Sequence, residues 1–216
     1  SKTMATTLRL TMIITLPAGA GFLLLSGPIL RLFYSEGTEL GGQLMALLGF
    51  AVPAVALVAI TNAVLQAFGR IDLPLISMFL GALVKIFGDY YLIGMPELNI
   101  AGAPISTAVC YWLIALINLF HISRLSHSLP PLGKTVGRPL AAAIGMGAAT
   151  YICHTVLLRV TEAAPGTAAD KLITLAVIAV AVAAYGVLLL VLHAVDREDM
   201  LLLPKGEKIA NILHLK

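Results

Sequence analysis

Two charged residues, Lys85 and Asp89, interrupt an otherwise apolar stretch at 74–94. In a membrane helix that begins at Pro74, Lys85 lies about 17 Å along the axis, near the middle of a bilayer core of about 30 Å. Asp89 follows four residues later, on the same helical face. A charge at that depth costs about 2.5–3.5 kcal/mol, so it faces a partner or a water-filled cavity. The pair is therefore either a structural ion pair or a cavity-facing cation for an anionic substrate, with Asp89 orienting it.

A second polar stripe consists of Asn62 and Gln66, which are also four residues apart and are flanked by Thr61. Amides in a membrane helix need hydrogen-bond partners, so this stripe faces protein or water and not lipid. It either joins helices or lines a cavity. Asn118 is a single amide within its apolar run, and we expect it to join helices.

Signatures of an enzyme are incomplete in this sequence. The segment Gly133-Lys134-Thr135 ends like a phosphate-binding loop, but Ser128 stands where that loop requires a glycine. The two cysteines lie in apolar runs, without the spacing of metal ligands. We therefore predict no catalytic residue, no metal site and no cofactor, and we do not expect an enzyme.

The composition indicates the kind of element that carries these polar groups. Of 216 residues, 59% are hydrophobic and only 12% are charged, whereas soluble domains have roughly 45–50% and 25%. The mean hydropathy is +0.97. This excludes a soluble domain, which needs polar groups to cover its surface. It also excludes nucleic acid as a partner, because binding it needs clustered Lys and Arg.

Runs without Asp, Glu, Lys or Arg divide the chain into membrane spans. Five such runs are about 20 residues or longer, enough for a helix to cross a bilayer, and 74–94 is a sixth apolar stretch. The fold class is therefore all-α and polytopic. We predict six transmembrane helices, near 8–26, 44–68, 74–94, 103–122, 139–158 and 171–194.

The basic residues predict the orientation of these spans. With a cytoplasmic N-terminus, ten of the fourteen Lys and Arg residues lie inside, and only Arg31, Arg159 and Lys171 lie outside. The positive-inside rule favours this arrangement. Because the number of spans is even, both termini are expected to be cytoplasmic.

Prolines and loops predict the organisation of the chain. Pro17 and Pro53 fall within the first two spans, where a proline frees a backbone carbonyl and can act as a hinge. Loop 123–138 contains Pro130-Pro131 and separates the first four spans from the last two. We expect a four-helix part at 1–122, this cytoplasmic loop, a terminal helix pair at 139–195 and a cytoplasmic tail at 196–216, lying on the inner membrane surface.

The order of several segments resembles the polysaccharide-biosynthesis branch of the multidrug/oligosaccharidyl-lipid/polysaccharide exporter superfamily. Within that branch, the chain is most similar to relatives of stage V sporulation protein B and the lipid II flippase. The matching segments are LPAGAGF at 16–22 with GPILRLFY at 27–34, NAVLQAFGR at 62–70, GALVKI at 81–86 with YLI at 91–93, and NIAGAPIST at 99–107. Lys85 looks like a lysine that recurs in the family, whereas Asp89 stands where many relatives carry an amide.

This resemblance implies a two-lobed transporter of fourteen helices, in which the chain would supply helices nine to fourteen of the C-terminal part. The missing N-terminal lobe would then be a partner, together with membrane lipid and a lipid-linked saccharide. The implied function is flipping of an undecaprenyl-diphosphate-saccharide across the bacterial cytoplasmic membrane by alternating access. Lys85, Asp89, Asn62 and Gln66 would contact substrate or cavity water, and the last two helices would flank a groove for the isoprenoid tail.

Two other functions remain open at this point. One is export of small amphipathic molecules driven by Na⁺ or H⁺, with Asp89 as the ion site. The other is a membrane scaffold that transports nothing and recruits enzymes of wall synthesis.

Overall fold

The computed structural model describes residues 2–34, 38–126, 133–161 and 166–192. Within them the chain is helical, with no strand. The helices are α1 (Lys2–Phe33), α2 (Thr38–Gly49), α3 (Ala51–Ala67), α4 (Asp72–Gly94), α5 (Gly102–Ser126), α6 (Arg138–Thr161) and α7 (Ala168–Val191). The predicted tail at 196–216 and the middle of the predicted loop, 127–132, lie outside the described residues.

The prediction of an all-α polytopic membrane protein is confirmed. Among the described residues, five helices are long and apolar enough to cross a membrane, and there are six such spans if α2 and α3, which are bent where they meet, count together as one. Most of the long helices extend beyond the predicted bounds, because helices continue past the apolar core into charged flanks, whereas α7 begins earlier than predicted, at Ala168, and ends earlier, at Val191. α1, for example, begins at Lys2 and runs unbroken through Pro17 to Phe33.

The second span was predicted at 44–68 as one helix, and this is wrong. The structure has two helices there, α2 and α3, which are bent by 41° where they meet. Pro53 explains the break: it has no N–H for the Gly49 carbonyl, and its ring crowds that carbonyl. The Trp112 indole N–H of α5 donates to the Phe50 carbonyl over 3.1 Å, so a group from another helix pairs with the backbone at the break.

The α1 helix is central, in contact with α2, α3, α6 and α7, whereas α4 lies at the edge and packs mainly on α5. α1 and α2 approach closely because glycines meet at their crossing. A Cβ on Gly19 or Gly49 would lie only 2.7 Å from the other residue's carbonyl oxygen. Lipid tails are as apolar as the helices, so the hydrophobic effect does not drive membrane helices together. Small residues instead let the two backbones approach closely enough for van der Waals contact.

The terminal pair, α6 and α7, packs on α1 through small residues of α6. A Cβ on Gly145 would lie 2.8 Å from Leu188 of α7, and one on Gly147 would lie 3.1 Å from Leu24 of α1. One face of α6 therefore contacts α7 and another contacts α1. The terminal pair is joined to the first helix of the chain.

Candidate functional site

Lys85 and Asp89 form an ion pair on α4. The Lys85 Nζ lies 3.0 Å from Asp89 Oδ2 and 3.4 Å from Oδ1. The side chains are 37% and 31% exposed, so they lie at the margin between the α4–α5 contact and the open face of α4. Each charge compensates the other, and both remain accessible to a further group.

The facing helix, α5, completes this pair with two hydroxyls. Thr107 Oγ1 accepts a hydrogen bond from Lys85 Nζ over 2.9 Å, and the Ser106 hydroxyl donates to Asp89 Oδ1. Gly88 makes the approach possible, because a Cβ there would lie 2.9 Å from the Ser106 Cβ. Lys85, Asp89, Ser106 and Thr107 are called the Lys85 cluster below.

Sequence reasoning missed the two hydroxyl residues of this cluster. A signal exists in the spacing of Gly81 and Gly88, seven residues apart on α4, which marks a face that another helix can approach. Adjacent hydroxyls early in the next span, Ser106 and Thr107, then become candidates to meet Lys85 and Asp89.

Asn118 is the centre of a buried amide and hydroxyl network between α3, α4 and α5. Its Nδ2 donates to Asn62 Oδ1 over 2.7 Å and to Thr61 Oγ1 over 3.0 Å. Its Oδ1 accepts a hydrogen bond from the Ser77 hydroxyl over 2.7 Å. Both donors and the acceptor of this buried amide are thus used, and Asn62 joins helices through it.

The two amides of the predicted stripe have different surroundings. Asn62 is half-buried against α5, whereas Gln66 is exposed near the end of α3 and is not part of the Asn118 network. The predicted role of both residues in a cavity that binds sugar or water stays a prediction.

A large apolar groove lies between α1, the α2–α3 break, α5 and α6, with no residue of α4 in its lining. Its volume is about 800 Å³. The lining is apolar except for the polar atoms of Trp112, Thr135 and Tyr151, and it includes Pro53. The four predicted substrate residues do not line this groove, so the Lys85 cluster and the groove are separate features.

Metal-ligating side chains are scattered through the described part of the chain. No three His, Cys, Asp or Glu residues there lie close enough together to hold a metal ion.

A comparison with known families decides the relationship. The family model described as "Lipid II flippase MurJ" matches residues 1–198, nearly the whole chain. This chain belongs to the lipid II flippase family.

A curated relative in the same family supports this. The "Probable lipid II flippase MurJ" of Rhizobium meliloti (strain 1021) is 29% identical over 184 residues, which cover 81% of this chain and 34% of the relative. The chain thus spans about a third of the length of the curated relative that it matches. No solved structure matches.

Proposed function

We propose that this chain forms the C-terminal part of a flippase that moves a lipid-linked saccharide across the bacterial cytoplasmic membrane. The substrate is an undecaprenyl-diphosphate precursor of cell-wall or other polysaccharide. The observation that carries the proposal is the family match over residues 1–198. The relative is about three times as long as the matched region, which supports a further, N-terminal lobe as the partner of these helices.

The apolar groove suits the isoprenoid tail of such a substrate. A tail of this kind is a long hydrocarbon without hydrogen-bonding groups, and the groove of about 800 Å³ is almost wholly apolar. α6 supplies one wall, and α1 with the α2–α3 break supplies the other. The tail would stay in this apolar environment while the polar head crosses.

The Lys85 cluster suits the polar part of the same transport cycle. A half-exposed ammonium can bind the diphosphate, or an acidic group of the N-terminal lobe, in exchange for Asp89. In alternating access, such a contact forms in one state and breaks in the other. Asn62 and Gln66 would supply hydrogen bonds to sugar or water near the inner end of α3, and Pro53 would act as a hinge where α2 and α3 meet. The hinge at Pro17 stays a prediction from the sequence.

The proposed role of the groove as the site of the isoprenoid tail is tested by a substitution that fills it. Ala148→Trp adds a large side chain to the groove lining, whereas Ala183→Trp adds the same side chain to the exposed face of α7. With the full-length protein, Ala148→Trp should reduce translocation at least tenfold, because the tail and the indole compete for one volume. Equal activity of the two variants would contradict a tail site in the groove.

The role of Lys85 is tested by removing one charge and then both. Lys85→Ala leaves Asp89 unpaired in the membrane, which costs about 2.5–3.5 kcal/mol, and should reduce flipping. The double variant Lys85→Ala, Asp89→Ala restores the charge balance. If it regains stability but not flipping, the ammonium acts on the substrate or on the other lobe. If it regains both, the pair is structural only.

The two other functions predict different outcomes. An ion-driven exporter would need a Na⁺ or H⁺ gradient and would transport a small amphipathic molecule. The engagement of both Asp89 oxygens by Lys85 and Ser106 disfavours Asp89 as its ion site. A scaffold would keep its function in the double variant and lose it on changes in loop 123–138 or tail 196–216. The likeness to the sporulation protein stays a prediction from the sequence.

A further inference from the structure

Pro17 leaves one backbone carbonyl of α1 without its usual partner. In an α-helix the N–H of residue 17 would donate to the carbonyl of Ile13, but proline has no N–H. Inside a bilayer no water can take its place, and an unsatisfied backbone group costs several kcal/mol. The helix nevertheless continues without a break through Pro17.

Tyr185 of α7 supplies the missing donor. Its hydroxyl donates to the Ile13 carbonyl over 2.7 Å, across 172 residues of sequence. The Tyr185 side chain is only 8% exposed and packs in the cluster between α6 and α7. The hydroxyl therefore donates to a carbonyl that Pro17 deprives of its helical partner.

A second polar contact joins the same two helices near their other ends. Arg31 Nε lies 2.9 Å from Asp170 Oδ2, and the Asp170 side chain is 1% exposed. The same carboxylate oxygen accepts a hydrogen bond from the Gly166 N–H over 2.9 Å. A buried carboxylate that has lost its cation is strongly destabilising, so this contact also fixes which residues of α1 and α7 face each other.

The two contacts lie far apart along the helix axes. Fifteen residues separate Asp170 from Tyr185 on α7, which is about 22 Å at 1.5 Å per residue. Between them, Leu25, Ile173 and Val177 form an apolar cluster. Apolar contacts alone let membrane helices slide, because lipid is as apolar as leucine. A slip of one turn, 5.4 Å, would break both polar contacts at once.

We propose that Tyr185–Ile13 and Arg31–Asp170 are paired ties that hold the terminal helix pair rigidly on α1. α1, α6 and α7 then form a single unit, and the groove wall made by α1 and α6 keeps its shape while other parts of the transporter move. Tyr185 is a positioning residue: it acts through the α1 backbone.

A double-mutant cycle tests the first tie. Tyr185→Phe removes only the hydroxyl and should raise the unfolding equilibrium constant of the full-length protein about three- to fifteenfold, as for hydrogen bonds between membrane helices. Pro17→Ala restores an N–H for the Ile13 carbonyl. In that background, Tyr185→Phe should change the constant by less than about twofold. Unfolding is followed by SDS titration in mixed micelles.

The control is Tyr90→Phe, which removes an exposed hydroxyl on α4 and should leave the unfolding equilibrium constant unchanged. An effect of Tyr185→Phe in the protein with Pro17 that is no larger than that of Tyr90→Phe would overturn the first tie. The unfolding equilibrium is measured without translocation. Its result therefore tests the Tyr185–Ile13 contact whether or not the proposed function is correct.

Spin labels test the rigid unit. With the native cysteines replaced, labels at Ile14→Cys on α1 and Val187→Cys on α7, which are 69% and 59% exposed, should give one narrow distance distribution. Combining Tyr185→Phe with Asp170→Asn should broaden it, whereas Tyr90→Phe should not. An unchanged width in the variant that lacks both ties would overturn the proposal.

Discussion

At the scale of single residues, Asn118 illustrates how a membrane helix accommodates an amide. All of its hydrogen-bonding capacity toward α3 and α4 is used, by Asn62, Thr61 and Ser77, and the side chain is fully buried. Each of the three partners would lose its hydrogen bond to α5 if Asn118 were removed. The network therefore fixes how three helices meet.

Asn118→Ala should lower the free energy of unfolding by about 1–3 kcal/mol, because it leaves buried polar groups without a partner. The matched control is Gln66→Ala, an exposed amide on α3, which should stay within about 0.5 kcal/mol. Denaturant titration in detergent measures both. A loss of stability as large for Gln66→Ala as for Asn118→Ala would contradict the network as the source.

The sequence predicted residue contacts only where they are local. Lys85 and Asp89 are one turn apart on one helix, so helical periodicity alone indicates the pair. Arg31 and Asp170 are 139 residues apart, and no pattern in either span indicates that they meet. Asn118 was expected to join helices, but the identity of its partners depends on how α3, α4 and α5 pack.

At the scale of elements, the α4–α5 contact depends on glycines. A Cβ on Gly81 would overlap the end of Ile114, and one on Gly88 would crowd Ser106. α5 can therefore approach closely enough for its hydroxyls to reach Lys85 and Asp89.

Gly81→Ala should destabilise the protein by about 1–3 kcal/mol through overpacking. Adding Ile114→Ala should recover part of the loss, since it removes the overlapped atoms. Gly186→Ala is the control: nothing lies within 4 Å of a Cβ there, so it should be neutral or stabilise by up to about 1 kcal/mol. Absence of any rescue would contradict the proposed overlap.

The elements themselves could be predicted from charge-free runs, because a helix satisfies its own backbone groups in a bilayer and about 20 apolar residues are enough for it to cross. The break at Phe50 could not. Pro53 indicated a special point in the second span, but a proline disturbs the carbonyl four residues before it, at Gly49. α2 also begins earlier than expected, at Thr38. Glu39 lies just before the charge-free run, but an acidic side chain is favourable in the first turn of a helix.

At the scale of the whole molecule, the orientation in the membrane is a prediction from the distribution of basic residues, and cysteine labelling tests it. Tyr34→Cys, after α1, and Arg70→Cys, between α3 and α4, lie on opposite sides in our topology. In a background without native cysteines, an impermeant thiol reagent should label intact cells at Tyr34→Cys only. Labelling of Arg70→Cys alone would show that the chain has the opposite orientation in the membrane.

Translocation by the purified full-length protein tests the central proposal most directly. Vesicles that contain the protein and a labelled undecaprenyl-diphosphate saccharide in both leaflets are treated with an external enzyme that cleaves the exposed head group. We predict that the protein makes the inner half of the label accessible over time, and that Ala148→Trp slows this while Ala183→Trp does not. Inner label that stays protected, as in protein-free vesicles, would contradict a flippase.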